Sequence, residues 1–303
     1  MTVYDLKTMQ ICEIKENTVV ALGTFDGCHS GHASVLQNAF YTAKKAGLKS
    51  LVYTFDTSAV KGQDLIMTLD EKIKAIKKFC IDYIAIESFE SVRDLSGEEF
   101  FERVLVAELN ARHGVCGFNY RFGKKASCNA EKLRELFEKN GGSVCISPQI
   151  VFDGCPVSST LIRERIRQGE VESIIPFSSP YSIYAKVEKG KGLGNKMGMA
   201  TVNQSLPSGK VVPKTGVYIT ECEIGEDVFP SVTNVGYRPT TDGENTRLNV
   251  ETHIIGYSGQ LYDSYLRVNF YKRIRDEKRF DSFAELALQV EMDKRQATDY
   301  FLH

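Results

Sequence analysis

The chain has 303 residues, of which 42% are hydrophobic and 25% charged, and its formal net charge is −1. This composition is typical of a soluble globular protein with two domains, and the near-zero charge argues against a nucleic-acid binder that neutralises many phosphates. The chain has no apolar run as long as a membrane span. Its eight cysteines are scattered without a Cys-x-x-Cys pair, which predicts a cytoplasmic protein with reduced thiols and no zinc site.

The first motif lies near the start of the chain, where an apolar strand over residues 19–22 is followed by a turn and a helix. Residues 23–32 read Gly-Thr-Phe-Asp-Gly-Cys-His-Ser-Gly-His. Apolar residues then recur at helical spacing, so we expect the helix to begin near His32. A strand, a tight turn and a helix N-terminus present backbone N–H groups to an anion. His29 and His32 would place two imidazoles beside that anion.

Strands and helices alternate through the rest of the first half. The sequence predicts strands at residues 50–55, 83–86, 115–117 and 143–147, and helices at 69–79, 97–109 and 130–139. Two of these helices open with capping boxes, Thr68 with Glu71 and Ser96 with Glu99. This alternation predicts a parallel sheet covered by helices on both faces. A ligand site is then expected at the carboxyl ends of the strands.

Two later stretches return to that end of the sheet. Residues 117–123 read Gly-Phe-Asn-Tyr-Arg-Phe-Gly and follow a predicted strand. Residues 157–163 read Val-Ser-Ser-Thr-Leu-Ile-Arg and open a helix that Gly169 ends. Ser-Ser-Thr before an apolar run is ordinarily a helix cap. The same hydroxyls and helix amides, with Arg163 one turn later, could also bind a triphosphate.

The pattern changes near residue 180, where short alternating segments separated by glycine and proline turns replace the helices. Candidate strands are residues 184–187, 216–221, 231–235, 249–255 and 264–271, followed by a helix over 283–293. This pattern predicts a small antiparallel barrel with a C-terminal helix. The expected domains are therefore residues 1–180 and 181–303.

The second half carries its own polar motifs. Residues 190–203 are rich in glycine and lysine without forming a Walker A loop, and a solvent loop is the alternative interpretation. Thr201 and Asn203, two residues apart on a strand, would share a face and offer oxygen ligands to one hard cation. Glu251 and His253 share a strand face in the same way. Glu251 could be a barrel-lining general base or simply a surface residue.

Taken together, these motifs resemble those of the prokaryotic bifunctional riboflavin kinase/FMN adenylyltransferases, also called FAD synthetases, over nearly the whole chain. Residues 23–32 resemble the HxGH motif of nucleotidylyltransferases, and residues 234–240 and 251–253 resemble the kinase motifs Asn-x-Gly-x-x-Pro-Thr and Glu-x-His. The resemblance implies a Rossmann-like HxGH nucleotidylyltransferase domain followed by a β-barrel riboflavin kinase domain. It implies a transferase that phosphorylates riboflavin to FMN and adenylylates FMN to FAD.

The resemblance also implies roles for individual residues. The cofactor would be Mg²⁺, ATP a substrate, and riboflavin, FMN and FAD substrates and products. Partners would be small molecules only, without nucleic acid or membrane, for a monomer or weakly self-associating protein. The implied roles are catalytic for His29, His32 and Glu251, ATP- or phosphate-binding for Gly23, Phe25, Gly31, Ser159, Thr160, Arg163, Gly190 and Gly192, flavin-binding for Asp56, Asn119, Arg121 and Asn234, and metal-binding for Thr201 and Asn203.

The sequence departs from the family pattern at two places. Thr57-Ser58-Ala59 stands where the resemblance predicts Pro-His-Pro, and Ala200 replaces a proline before Thr201. Two alternatives follow from these departures: an enzyme that keeps only one of the two activities, and a catalytically silent flavin- or nucleotide-binding regulator. The presence of His29, His32 and Glu251 favours the enzyme.

Overall fold

The structure, a computed structural model, describes residues 1–6, 14–56, 64–188, 201–239 and 246–302. The chain divides into two compact units, Met1–Leu161 and Ile162–His303. The division at residue 180 expected from the sequence stays a prediction. Within the described ranges, no helix is both long enough and apolar enough to cross a membrane.

The first unit is built on a six-stranded sheet in which every neighbouring pair is parallel. The strand order is β1-β4-β3-β2-β5-β8. All five residues of β2 are buried, as expected for a central strand covered on both faces. The strands of this unit, including two short antiparallel pairs, are β1 Thr2–Asp5, β2 Thr18–Leu22, β3 Lys49–Phe55, β4 Tyr83–Glu87, β5 Ala111–Gly117, β6 Arg121–Phe122, β7 Cys128–Asn129, β8 Ser143–Ser147, β9 Val151–Phe152 and β10 Cys155–Pro156.

The helices around this sheet begin where the sequence predicts caps. Thr68 and Ser96 both form the complete capping box with Glu71 and Glu99. The first helix begins at Ser30, two residues earlier than expected, because His29 itself is the N-cap. The helices of this unit are α1 Ser30–Ala46, α2 Leu69–Lys77, α3 Phe89–Val92, α4 Gly97–Glu99 and α5 Ala130–Lys139, with a 3₁₀ turn at Lys124–Ala126. Helix α6 Ser159–Gln168 begins in the first unit and ends in the second, which also contains a 3₁₀ turn at Val171–Ile174.

The helix expected to run as an α-helix to Leu109 changes its winding. After α4 it continues as a π-helix over Phe100–Glu108. This wider helix turns Phe100, Phe101, Val104 and Leu105 into the core. The ring of Phe101 meets that of Phe137 edge-on, with 4.9 Å between centroids. The side chains that define the core thus dictate the local winding, which sequence periodicity alone did not reveal.

The second unit is a closed barrel of six antiparallel strands in the order β11-β12-β15-β14-β13-β16. This confirms the expected barrel and its C-terminal helix, which extends beyond its predicted end at residue 293. The elements are β11 Tyr181–Glu188, β12 Thr201–Ser205, β13 Gly216–Ile224, β14 Asp227–Pro239, β15 Thr246–Ile254, β16 Tyr265–Arg275 and α7 Phe283–Leu302.

The two faces of the barrel wall are occupied differently. A chain of hydroxyls fills part of the interior: Thr233 hydrogen-bonds Thr220 at 2.8 Å and Thr252 at 2.9 Å, and all three are fully buried. On the outer face, Val217, Ile219 and Val232 pack against Ala297 of α7. Side chains of a strand alternate between faces, so these two groups fix which residues of β13, β14 and β15 point inward.

Candidate active sites

The turn after β2 adopts an unusual backbone conformation. Phe25, Gly27 and Cys28 have φ values of 50°, 87° and 40°, all in the left-handed region. Glycine enters this region without penalty, but for Phe25 and Cys28 it carries strain of about 1–3 kcal/mol each. Such strain persists only where the surroundings hold the backbone firmly, which is common at functional sites.

Three segments hold this turn from different sides. The Asp26 carboxylate accepts hydrogen bonds from the backbone N–H groups of Ile66 and Met67, both at 3.0 Å. The Thr54 hydroxyl donates to the carbonyl oxygen of Thr24 at 3.0 Å. The Ser159 hydroxyl donates to the carbonyl oxygen of Asp26 at 2.7 Å. The turn is therefore anchored to β3, to the segment before α2 and to the start of α6.

The two histidines of the motif lie against each other at the N-terminus of α1. Their rings stack with 3.8 Å between centroids, and Nδ1 of His29 accepts a hydrogen bond from the backbone N–H of His32 at 3.3 Å. Burial lowers the pKa of His29 to about 4, so its ring is neutral near pH 7. Because Nδ1 accepts, Nε2 carries the proton and is a donor. A buried neutral donor at a helix N-terminus is suited to stabilising negative charge.

Other first-unit residues singled out from the sequence follow the ends of three adjacent strands. Gly23, Asp56 and Asn119 come directly after or near the carboxyl ends of β2, β3 and β5, which are neighbours in the sheet. The Asp56 N–H donates to the carbonyl oxygen of Glu87 at 3.0 Å. Strands β3 and β5 lie on opposite sides of β2 in the sheet, so the strand order reverses between β2 and β5. Open parallel sheets bind ligands at such a topological switch point.

The accessibility of these residues differs. The side chains of Asn119, Arg121 and Thr160 are exposed, whereas Arg163 is buried on α6. The Phe25 ring is fully buried and lies edge-on to His32, with 5.4 Å between centroids. Phe25 therefore packs against His32, and its complete burial argues against the ATP-binding role that the resemblance implies for this residue.

The start of α6 shows the helix cap that the sequence predicts, and the triphosphate interpretation stays a prediction. The Ser158 hydroxyl accepts a hydrogen bond from the Leu161 N–H at 3.2 Å, which makes Ser158 the helix cap. Ser159 is bonded to the turn of the HxGH motif, and Thr160 faces solvent. The run Ser-Ser-Thr thus caps its helix and also brings a hydroxyl to the motif.

In the second unit, backbone register brings the sequence-predicted residues into one row. Asn203 of β12 is the Cα partner of Glu251 on β15, and Glu251 is in turn the partner of Asn234 on β14. Thr201 is the partner of His253 in the next pair of this face. Three adjacent strands thus present two amides and a carboxylate side by side.

This row lies on the outer face of the barrel, which corrects the expectation that Glu251 lines the interior. Its neighbours Val250 and Thr252 are fully buried inside, so Glu251 points the other way. His253 points outward as well, beside α7, and burial together with the Lys294 ammonium lowers its pKa to about 4. The reason for the error is physical: a barrel this small fills its interior with side chains and has no room there for a substrate.

Two further polar residues contact this row. Nδ2 of Asn249 donates to Oδ1 of Asn203 at 3.4 Å, and Nδ2 of Asn234 donates to the Glu277 carboxylate at 3.1 Å. A side chain at Gly236 would collide with that carboxylate. A larger residue at position 236 would displace the end of the Glu277 side chain. Sequence reasoning missed Glu277, since it stands in an ordinary charged run after β16.

Some predicted positions lie outside the described residues: Gly190, Gly192, Ala200 and residues 57–59. Within the described part of the chain, no group of three His, Cys, Asp or Glu side chains could hold a metal ion. Thr201 and Asn203 offer neutral oxygens on one face, and such a pair fits Mg²⁺ when phosphate oxygens complete the coordination.

Comparisons with known proteins match both units. A family model described as FAD synthetase matches residues 11–161, and one described as riboflavin kinase matches residues 177–301. A bifunctional riboflavin kinase/FMN adenylyltransferase of Bacillus subtilis is 31% identical, covering 96% of this chain and 95% of its own length. A bifunctional riboflavin kinase/FMN adenylyltransferase of Escherichia coli K12 is 28% identical, and the match covers 95% of this chain and 94% of that protein. The crystal structure of a macrolide-efflux protein from Streptococcus pneumoniae has a TM-score of 0.83, 28% identity and 98% coverage of both chains.

A parallel sheet with paired histidines at its switch point, followed by a six-stranded barrel with an outward polar row, defines a two-domain transferase of the nucleotidylyltransferase-and-kinase type. The similarity to curated relatives extends over nearly the full chain, and both family models match in the expected order. The chain belongs to the family of bifunctional riboflavin kinase/FMN adenylyltransferases.

Proposed function

We propose that this protein makes FAD from riboflavin in two ATP-dependent steps, one in each unit. The observation that carries the proposal is the presence of both family domains with their polar residues gathered: the stacked histidines in the first unit and the Asn203–Glu251–Asn234 row in the second. Both sites would use ATP and a flavin.

In the second unit, Glu251 accepts the proton of the riboflavin 5′-hydroxyl as that oxygen attacks the γ-phosphorus of ATP. The bond between the γ-phosphorus and the bridging oxygen breaks, and ADP leaves with FMN formed. Asn234 orients the flavin beside Glu251. Thr201 and Asn203 would hold Mg²⁺ with the phosphates, where the ion neutralises phosphate charge. Positioning and charge neutralisation are the main sources of rate in such a transfer.

In the first unit, an FMN phosphate oxygen attacks the α-phosphorus of ATP and pyrophosphate leaves. The nucleophile is already an anion, so no covalent enzyme intermediate is needed. His29 donates from Nε2, and His32 and the N-terminal amides of α1 donate alongside it, to the charge that grows on the α-phosphate. With a pKa of about 4, His29 works as a neutral hydrogen-bond donor rather than as an acid.

Substrate binding in the first unit is assigned to the residues around this centre. Asp56, Asn119 and Arg121 would contact FMN, where the exposed Arg121 can pair with its phosphate. Gly23, Gly31, Ser159, Thr160 and Arg163 would line the ATP phosphates. Arginine pairs phosphate through two parallel hydrogen bonds, which fixes orientation as well as charge.

The test is an incubation of the purified protein with riboflavin, ATP and Mg²⁺, followed by chromatographic separation of the flavins. We expect FAD, with FMN as an intermediate. FMN alone would show an inactive first unit, whereas FAD formed only from supplied FMN would show an inactive second unit. No product in either case would indicate the silent regulator and overturn the proposal.

We also propose that the protein works in the cytoplasm as a monomer or weakly associating particle. Its substrates are small soluble molecules, and the near-zero net charge gives no attraction to nucleic acid or anionic lipid. Size-exclusion chromatography at several protein concentrations tests the oligomeric part: a mass near 33.9 kDa is expected at low concentration.

A further inference from the structure

Lys72 is a buried lysine that the proposed chemistry does not use. It lies on α2 and is only 2% exposed, whereas Lys74 and Lys77 of the same helix are exposed. Lysine is almost never fully buried unless its ammonium is paired, because removing the charge from water is costly. The cost of burying the Lys72 ammonium must therefore be offset by interactions inside the first unit.

The Lys72 ammonium lies where β3 meets the strained turn. Nζ donates to the carbonyl oxygen of Phe55 at 2.8 Å and lies 3.5 Å from the Thr54 hydroxyl. That hydroxyl in turn donates to the Thr24 carbonyl oxygen. One lysine thus connects α2, the last residue of β3 and, through Thr54, the first residue of the turn.

The charges around Lys72 belong to the same region. Asp26 and Asp56 are its neighbouring carboxylates, one inside the turn and one directly after β3. Burial lowers the pKa of Lys72, and these two carboxylates act in the opposite direction. The nearby Cys28 thiol is neutral, since burial raises its pKa to about 12. Both carboxylates act electrostatically on the ammonium, and both belong to segments that follow β2 and β3, the strands whose ends form the site.

We propose that Lys72 is a positioning residue for adenylyl transfer, whose buried ammonium holds the strained turn and the end of β3 in the geometry that the two histidines and Asp56 require. The inference rests on the proposed FMN adenylyltransferase activity of the first unit. Lys72 acts through the turn and touches no substrate.

The first test is Lys72→Met, which keeps the length of the side chain and removes the charge. Removing one member of a buried charged group costs about 3–5 kcal/mol of unfolding free energy, so kcat is measured under conditions in which cooperative urea unfolding shows that the variant is folded. A small misplacement of reacting groups lowers rate about 10²-fold. We expect kcat for FAD formation from FMN to fall by about that factor, with the KM for ATP within a few-fold and riboflavin phosphorylation unchanged. Lys77→Met, an exposed lysine of the same helix, is the matched control.

The second test separates charge from packing. Lys72→Ala leaves a hole that propylammonium or neutral 1-propanol, two molecules of the same size, can enter. We expect propylammonium to restore adenylyl transfer at least tenfold over 1-propanol at equal concentration. Equal rescue by both, a Lys72→Met enzyme with wild-type kcat, or a Lys72→Met protein that no longer unfolds cooperatively would each overturn the positioning role. A wild-type protein that makes no FAD would instead refute the proposed function itself.

Discussion

The two candidate sites are held together in opposite ways. In the first unit, the site residues follow the ends of separate strands and meet around a turn with three consecutive contacts to distant segments, at Thr54, Ile66 and Ser159. In the second unit, Asn203, Glu251 and Asn234 are direct register partners on neighbouring strands. Side-chain hydrogen bonds fix the first geometry, and the backbone ladder fixes the second.

This difference shows which changes each site should tolerate. A turn in the left-handed region is held only by its surroundings, so loss of one anchor shifts the reacting groups. A row of residues on a barrel keeps its geometry when one side chain is replaced, because the ladder remains. In the second unit, single substitutions should therefore report chemical roles cleanly, and each unit supplies an internal control for the other.

The largest effect is expected for Glu251→Gln. The amide keeps the shape of the side chain but cannot accept the hydroxyl proton, and loss of a general base costs about 10²–10⁴ in kcat. The measurement is steady-state riboflavin phosphorylation, with the KM for ATP little changed and FAD formation from FMN unaffected. Glu226→Gln, at an exposed barrel turn, is the control. Near-full turnover of Glu251→Gln would remove Glu251 from the base role.

His32→Ala should lower FAD formation from FMN by about 10²–10³, the usual loss for one preorganised donor to developing charge. Riboflavin phosphorylation should stay within a few-fold of the wild type. His113→Ala is the comparison, since His113 pairs with Ser143 at the opposite end of the sheet. An equal loss of both activities in a correctly folded His32→Ala protein would argue against two separate sites.

Acidification should weaken both units. The pKa of His29 is about 4 in the folded protein against an ordinary value of 6.5, so between these values the unfolded chain binds more protons. The contribution of His29 to the free energy of unfolding is therefore fully present above pH 6.5 and is lost as the pH drops toward 4. For His29 the loss at pH 5 is about 2 kcal/mol relative to pH 7. Burial lowers the pKa of His253 in the same direction. Its effect on the free energy of unfolding is smaller because its side chain is less buried.

Urea unfolding at pH 7 and pH 5, followed by the loss of each activity, measures these contributions. His253→Asn should flatten the pH dependence of unfolding in the second unit and leave that of the first unchanged. A His253→Asn protein with the wild-type pH dependence would show that this imidazole is not the titrating group.

The smallest effects are expected from helix caps, where the two units should behave alike. Thr68 caps α2 in the first unit, and Ser282 accepts from the Glu285 N–H at the start of α7 in the second. Replacing such a cap by alanine costs about 0.5–2 kcal/mol of unfolding free energy. Thr68→Ala should lower the urea midpoint for loss of adenylyl transfer only, and Ser282→Ala that for loss of kinase activity only. A midpoint shift shared by both activities would show that the units unfold together.

Much of the fold could be predicted from local signals. The strand before Gly23 and the capping boxes at Thr68 and Ser96 follow from neighbouring residues, and the structure confirms them. The parallel sheet and the barrel are confirmed as well, whereas the domain boundary near residue 180 stays a prediction. The assignment of roles to site residues stays a prediction, although the structure gathers Asn203, Glu251 and Asn234 into one row.

The features that escaped prediction depend on distant parts of the chain. Nothing in the sequence of α2 distinguishes the buried Lys72 from the exposed Lys74 and Lys77, because its partners Thr54 and Phe55 lie on another element. The outward orientation of Glu251 follows from which face α7 covers, and the π-helix from how Phe100 and Phe101 fit the core. Such facts are set by packing, which a sequence pattern does not contain.

Closure of the barrel has a consequence during synthesis on the ribosome. The seam pairs β11 with β16, joining Tyr181 to Phe270, so the barrel cannot close until nearly all of its sequence has emerged. The last strand of the parallel sheet ends at Ser147, so that sheet can be complete much earlier. The nascent barrel meanwhile exposes the unpaired edge of β11, which is a template for wrong pairing. Slow translation beyond residue 188 would lengthen that exposure, and it would leave the parallel sheet unaffected.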